Sequence, residues 1–206
     1  MSGSENDQQI ILAHLQQLTD HKLTIKDGQV LIGELGDMGN LRYEQGNKLL
    51  ARMMLDDNTT TIVVQTKEGN YEVNDNDKNA TNGVGSDATV YFNPKSNPTI
   101  QTTDPVTGNV SGQKRPSYVG LAHELIHADR AMRGAQYDYK TMGTYIYQID
   151  KKAGSFMGMK YTDTWRKRQT IRKEELATTG LRYVRNGDIT ENKIRAEHGL
   201  PLRGAY

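Results

Sequence analysis

Ser117-Tyr-Val-Gly-Leu-Ala-His-Glu-Leu-Ile-His-Ala-Asp-Arg-Ala-Met-Arg133 contains His123-Glu124-Leu125-Ile126-His127, and the reading of the whole chain turns on that core. Residues four apart on an α-helix share a face, so His123 and His127 can address one metal ion. Glu124 lies one residue round from the first histidine, within reach of a water on that metal without being a ligand. This is the HExxH pattern of zinc hydrolases, two ligands and a general base. Pro116-Ser117 supplies a stop and an N-cap, and Gly134 a C-terminal stop. Val119, Leu121, Ala122, Leu125, Ile126 and Met132 recur at mixed three and four spacing, which predicts a helix buried on most faces. The plain alternative is a buried helix that happens to carry two histidines. It leaves two imidazoles and a carboxylate in need of other partners.

Two histidines do not complete a catalytic zinc site, which takes a third protein ligand and keeps water in the fourth position. The chain has no cysteine, so thiolate ligands and disulfides are excluded and the metal must be held by His, Asp or Glu. A third histidine in the HExxHxxGxxH pattern would need Gly at 130 and His at 133, where Arg130 and Arg133 stand. The remaining route is an acidic residue downstream. Asp138, Asp150, Asp163, Glu174 and Glu175 are available, and the Glu174-Glu175 pair sits on the best helical stretch. Adjacent helical residues point about 100° apart, so one glutamate can bind metal while the other does something else. Spacing does not choose between them.

The 206 residues suffice for one domain with a real core. Hydrophobic residues make up 35% and mean hydropathy is -0.75, polar but with enough apolar periodicity to argue against general disorder. A formal net charge of +1 indicates no global pull towards nucleic acid or a membrane surface. No apolar run approaches a membrane span. The polar start, Met1-Ser-Gly-Ser-Glu-Asn-Asp7, lacks a signal-peptide pattern, so export calls for a specialised secretion machine or membership of a larger secreted chain.

Residues 5–19 carry Ile10, Ile11, Leu12, Leu15 and Leu18 at helical spacing, with His14 as a face residue and no ligand. Asp27-Gly28 between two apolar runs predicts a hairpin over 23–33, with His21 a solvated turn residue before it. A helix follows over 40–56, weakened at Gly46. Residues 59–66 are β-branched and read as a strand; Glu68-Gly69-Asn70 turns the chain and 71–73 returns as its hairpin partner. Residues 74–87 are nearly all turn formers. An EF-hand counted from Asp75 would need Gly and Glu where Ala80 and Ser86 stand, so the stretch predicts a mobile loop and no calcium site. Residues 88–94 form a strand, the candidate for an exposed edge that pairs with a substrate backbone. An interior strand is the alternative. Residues 94–116 predict a long surface loop near the zinc helix. Residues 135–163 are rich in Tyr, Gly and Met without a period, and either line a cleft or pack on the helix. Residues 163–184 read as a second long helix. Its cluster Arg166, Lys167, Arg168, Arg172, Lys173 is a solvated face or a docking face for an acidic partner, since it lacks the aromatic interleaving of single-strand nucleic-acid binders. A short helix over 190–198 stops at Gly199, and Pro201 keeps the tail extended.

His-Glu-Leu-Ile-His together with Glu174-Glu-Leu-Ala-Thr-Thr-Gly180 resembles the clostridial neurotoxin light chains, which pair an HELxH helix with an EELxTxG helix. That resemblance implies Glu175 as the third ligand and Glu174 as the residue that orients a histidine or a basic group. Arg203-Gly-Ala-Tyr206 matches the Arg-x-x-Tyr that steadies the tetrahedral intermediate there. Over about 115–206 the chain more closely resembles the NleD-like effector zinc metallopeptidases, in the HELIHA core, the EELxTxGL helix, Ile189-Thr-Glu-Asn192 and the terminal Pro-x-Arg-x-x-Tyr. Residues 1–114 carry no matching motif.

The resemblance implies an α+β fold, zincin-like of gluzincin type, with a small mixed sheet beside the HExxH helix. One domain then spans 1–206, with helices and sheet in 1–114 and catalytic helices and tail in 115–206. It implies a zinc endopeptidase delivered by a secretion system into a host cytosol, whose partner is a host protein substrate, with signalling kinases as one kind of target and no nucleic acid. The expected site is zinc on His123, His127 and Glu175, Glu124 as base, and Tyr206 and Arg203 as donors to the oxyanion. The competing functions are a zinc hydrolase of cell-wall peptides or other non-protein substrates, and a binding module with a structural metal, for which His198 is the one further ligand if the tail folds back.

Overall fold

A computed structural model describes residues 1–35, 41–67 and 69–206. Asn40, the start of the expected 40–56 helix, and Glu68, in the expected turn, lie outside the described residues.

Helix α1 (Glu5–Gln16) opens on a capping box in which Ser4 Oγ accepts from Asp7 N and the Asp7 carboxylate accepts from Ser4 N. Strands β1 (His21–Lys26) and β2 (Gln29–Leu35) form the hairpin on Asp27-Gly28, whose φ values of 52° and 75° suit a primed two-residue turn. Helix α2 (Glu44–Leu55) follows. Gly46 costs α2 helix propensity, yet packing requires it: a Cβ there would overlap the Leu18 carbonyl oxygen. Gly46→Ala is therefore expected to destabilise the protein by about 3 kcal/mol, read as a lowered thermal midpoint. An unshifted midpoint would mean that α2 is not seated on Leu18.

Strands β3 (Thr60–Val64), β4 (Tyr71–Asn74) and β5 (Ala88–Phe92) make a mixed sheet in the order β3-β5-β4, with β3 parallel and β4 antiparallel to β5. Two expectations change here. Strand β4 is not the hairpin partner of β3, because β5 lies between them. Strand β5 is therefore interior and its alternate residues Ala88, Val90 and Phe92 are buried. The two edges are β3, where Ser2 bridges to Val63, and β4, which pairs only with β5 among the described residues. The loop from β4 to β5 is tied down: Asp75 N donates to Asp87 O, Asn76 N to Ser86 Oγ, and Ala80 is fully buried.

The expected surface loop over 94–116 contains a hairpin, β6 (Thr99–Thr103) and β7 (Val110–Lys114). Ile100 and Thr102 alternate inward, and Asp104 organises the turn by accepting from Val106 N and Thr107 N. Helix α3 (Ser117–Met132) then runs through the molecule with every residue from Val119 to Met132 buried. Its N-cap is Pro116, and Ser117, expected to cap it, meets His14 Nε2 instead at 3.0 Å. Gly134 stops it at φ 62°. Ile11, Leu49, Ile62, Phe92, Leu121, Leu125 and Ile194 belong to one apolar cluster that draws on the chain from end to end. Each fully buried side chain of this kind contributes about 1.5–3 kcal/mol.

The largest departure lies in 135–184. The expected long helix over 163–184 begins as strand as far as Arg172: β8 (Met142–Phe156) and β9 (Met159–Arg172) form a long antiparallel hairpin, and helix α4 (Lys173–Thr179) is only seven residues. Thr162, Thr164, Trp165, Thr170 and Ile171 favour a pleated chain, and pairing with β8 settles it. Helix α5 (Glu191–Glu197) opens on Thr190, whose side chain accepts from Lys193 N.

Candidate metal centre

His123, Glu124 and His127 lie on α3, and Glu175 in the first turn of α4 meets them. His123 Nε2 and His127 Nε2 are 3.2 Å apart, and Glu175 Oε2 lies 3.3 Å from the first and 3.4 Å from the second. A tetrahedral ion with ligands at about 2.0–2.1 Å has ligand–ligand edges of about 3.3–3.4 Å. Three electron-rich atoms at that spacing are best satisfied by a cation between them, so the residues present fit zinc.

The electrostatics agree. Burial opposes a charge on either imidazole, but Glu175 and Glu191 around His123, and Glu175 and Glu174 around His127, outweigh it and raise both above the ordinary histidine range. Burial likewise opposes a charge on Glu175, and the two imidazoles overcome it and hold its carboxyl well below the usual range. Positive charge is favoured where the three meet.

Each histidine is oriented through its other nitrogen. His123 Nδ1 meets Glu191 Oε2 at 2.8 Å, and Glu191 is fully buried. His127 Nδ1 lies 3.4 Å from Glu174 Oε1 and 3.3 Å from Thr178 Oγ1. A proton held on Nδ1 by a carboxylate leaves the Nε2 lone pair for a metal. Glu174 also accepts from Arg130 Nε at 2.8 Å and from Tyr137 N at 2.7 Å, so it orients both a histidine and a basic residue. The two glutamates diverge on α4 as their helical spacing requires: Glu174 turns into the protein and Glu175 towards the opening. Burial pushes the Glu191 carboxyl up, but the hydrogen bond from His123 and the charges of His123, Arg203 and Arg115 prevail and bring it to about 2.

The tail is anchored. Thr103 N donates to Leu202 O, Gly204 N to Gln101 O, and Tyr206 N to Tyr145 Oη at 2.7 Å. A Cβ on Gly204 would overlap Thr103 Oγ1. Tyr206 Oη donates to Glu175 Oε2 at 2.6 Å and lines the cleft. Arg203 departs from expectation. It is buried, does not line the cleft, pairs with Glu191 at 3.1 Å, and stacks on the Tyr206 ring at 4.3 Å. Its Nη1 is taken by a buried carboxylate and its guanidinium lies over the Tyr206 ring, so the structure places it as a support for Tyr206.

The cleft, about 390 Å³, is walled by β4 and the residues beside it (Asn70 to Asn74), by Tyr137, Tyr139 and Arg172, and by Tyr206. Glu124 lines it, and its carboxylate accepts no protein hydrogen bond among the described residues. Two carboxylates here went unassigned from sequence. Glu191 lies within the Ile189-Thr-Glu-Asn192 segment, where an N-capping Thr190 before a glutamate was the available signal. Glu72 on β4 gave none. Burial raises its carboxyl to about 7, although His127 and a hydrogen bond from Gln136 pull the other way. His198 stacks on Tyr43 at 4.4 Å, and the metal-competent group contains only His123, His127 and Glu175 among the described residues.

A family model described as an effector protein, peptidase M91, matches residues 1–206. No curated protein matches the chain. Among solved structures, the chain is similar to the apo form, zinc removed, of the botulinum neurotoxin type C light chain: 13% identity over 77% of this chain and 32% of that one, TM-score 0.36. It is also similar to the light chain of botulinum neurotoxin serotype HA: 14% identity over 87% of this chain and 37% of that one, TM-score 0.32. The chain spans about a third of the length of those light chains.

Proposed function

For a chain that belongs to the M91 peptidase family of effector proteins, we propose a zinc-dependent endopeptidase, delivered by a secretion system into a host cytosol and acting on host proteins there. Signalling kinases are one substrate class to test. The observation that carries this reading is the triangle of His123 Nε2, His127 Nε2 and Glu175 Oε2 at tetrahedral edge lengths. We read the fold as zincin-like of gluzincin type, with α3 and α4 supplying the ligands.

Zinc, when bound, supplies a Lewis acid that polarises the scissile carbonyl and acidifies a water. The chain's own residues do the rest. Glu124 takes a proton from the attacking water on its carboxylate and passes it to the leaving amine. Tyr206 keeps its proton across the neutral range, because burial and the Glu175 carboxylate raise its pKa, and its hydroxyl turns from Glu175 to the developing oxyanion. Arg203 positions that ring from below. The open edge of β4, on the wall of the cleft, pairs with the substrate backbone and gives sequence-tolerant binding. A structural metal in a binding module is disfavoured, because such sites are closed by four protein ligands and the described residues offer three. The same centre also suits a hydrolase of cell-wall peptides, which substrate profiling separates.

The purified protein is expected to bind one zinc per chain and to cleave defined proteins in a host-cell lysate. Chelation abolishes the cleavage and added zinc restores it. A zinc-loaded, folded chain that cuts no lysate protein sinks the endopeptidase reading. Tyr206→Phe is expected to lower turnover by about 10²-fold with zinc content and thermal midpoint unchanged. An unaltered rate would remove the phenol from the mechanism.

A further inference from the structure

The β8–β9 hairpin is an arm about 45 Å long at the usual rise per residue. A two-stranded ribbon with solvent on both faces has little to stabilise it, yet this one carries exposed Phe156, Met159, Tyr161 and Trp165. It also concentrates charge. Residues 142–172 hold seven Lys and Arg against Asp150 and Asp163, a net +5, so in a chain of formal charge +1 the remainder carries −4.

The register separates the two chemistries. Phe156, Tyr161, Trp165 and Tyr147 fall on one face, where the charges of Lys152 and Lys167 are balanced by Asp150 and Asp163; Lys151, Lys160, Arg166 and Arg168 fall on the other, which carries no acidic residue of the arm. The two outer edges differ as well. On the β8 side, Gln148 Nε2 donates to Thr107 O and to Asn109 Oδ1 at the β6–β7 turn. Strand β9 pairs with no strand but β8 among the described residues. A chain laid along its free edge reaches both faces at once through alternate side chains. At its base β9 ends on Arg172, which lines the cleft, and Glu175 follows three residues later.

We propose that the free edge of β9 docks an extended segment of the protein substrate in which acidic and apolar residues alternate, at a site outside the cleft that leads into it. This rests on the endopeptidase reading. Acidic side chains meet Arg166 and Arg168 while apolar ones pack beside Trp165 and Tyr161. The same positive charge repels a second copy of β9, which keeps the edge from self-pairing. An anionic membrane at the apolar tip accounts for less. Lys160 stands at the tip itself, but Arg166 and Arg168 lie seven and nine residues from Met159, about 23–30 Å along the strand, several times the ~8 Å Debye length at physiological salt, so a contact at the tip leaves them without a partner.

The test uses the full chain and a fluorescein-labelled peptide of about twelve residues alternating glutamate with leucine and tyrosine, read by anisotropy. A lysine-for-glutamate peptide and phosphatidylcholine vesicles containing phosphatidylserine are the counter-probes. The acidic peptide is expected to bind saturably, and to bind about tenfold more weakly when salt is raised from about 50 to about 500 mM. The triple change Lys151→Glu, Arg166→Glu, Arg168→Glu weakens it at least about tenfold, and Trp165→Ala weakens it severalfold. The same three positions changed to Gln provide a milder variant if charge reversal impairs folding. Equal binding of both peptides, indifference to the variants, no binding, or capture by vesicles alone overturns the proposal, as does a salt-resistant dimer through this edge. Zinc content on the same samples separates the readings. A chain that holds zinc but not the acidic peptide loses the docking edge only; one that holds the peptide but no zinc loses the peptidase only.

Discussion

Glu124→Gln is expected to lower turnover by about 10²–10⁴-fold while leaving one zinc per chain. The amide keeps the shape of the carboxylate but cannot take a proton from water at neutral pH. Metal content should survive, because His123, His127 and Glu175 converge without Glu124. Folding should survive as well, since the Glu124 carboxylate accepts no protein hydrogen bond among the described residues and its loss orphans no donor. The measurement is paired: zinc by atomic absorption and turnover on a lysate-derived substrate. A variant that retains near-normal turnover would show that another group, with Glu72 on the cleft wall a candidate, carries the proton.

The second large effect is at Glu191, and it is read in stability and metal affinity together. Its carboxylate is fully buried against His123 Nδ1 at 2.8 Å, Arg203 Nη1 at 3.1 Å and Arg195 Nη1 at 3.5 Å. Glu191→Ala leaves two buried guanidinium groups without their anion, which is expected to cost about 3–5 kcal/mol and to lower the thermal midpoint by roughly 10 °C in a chain this long. It also frees the His123 ring, so zinc affinity should fall by about 10–100-fold. Glu191→Gln keeps the volume and one acceptor oxygen but removes the same charge, so it is expected to recover only part of the lost stability while still weakening zinc. If neither variant changes zinc affinity, His123 is oriented by packing on α3 alone. The prediction separates Glu191 from a purely structural carboxylate, which would move the midpoint and leave the metal untouched.

Local chemistry made part of this legible before any coordinates. The helix over 117–132 follows from apolar spacing between a proline and a glycine, and His123 and His127 face one way because they are four apart. The Glu174-Glu175 pair was recognisable as two roles on one turn, and the hairpin at Asp27-Gly28 as a primed turn. All of these depend on residues within about one turn of each other. The long helix expected over 163–184 failed because a run of polar and β-branched residues suits either state, and the partner that makes it a strand, β8, lies across a hairpin.

Sequence alone, then, narrowed the metal ligands to His123, His127 and one of two adjacent glutamates and gave the helix that carries the histidines, since helical periodicity is a property of neighbours. Tertiary structure decided everything that joins distant segments: β4 rather than β5 as the free edge, Arg203 turned inward to Glu191, Tyr206 laid against Glu175, and the arm raised beside the cleft. The reason is that a buried carboxylate takes whichever cation the packing of remote elements brings within 3 Å or so, and no spacing along the chain records that meeting.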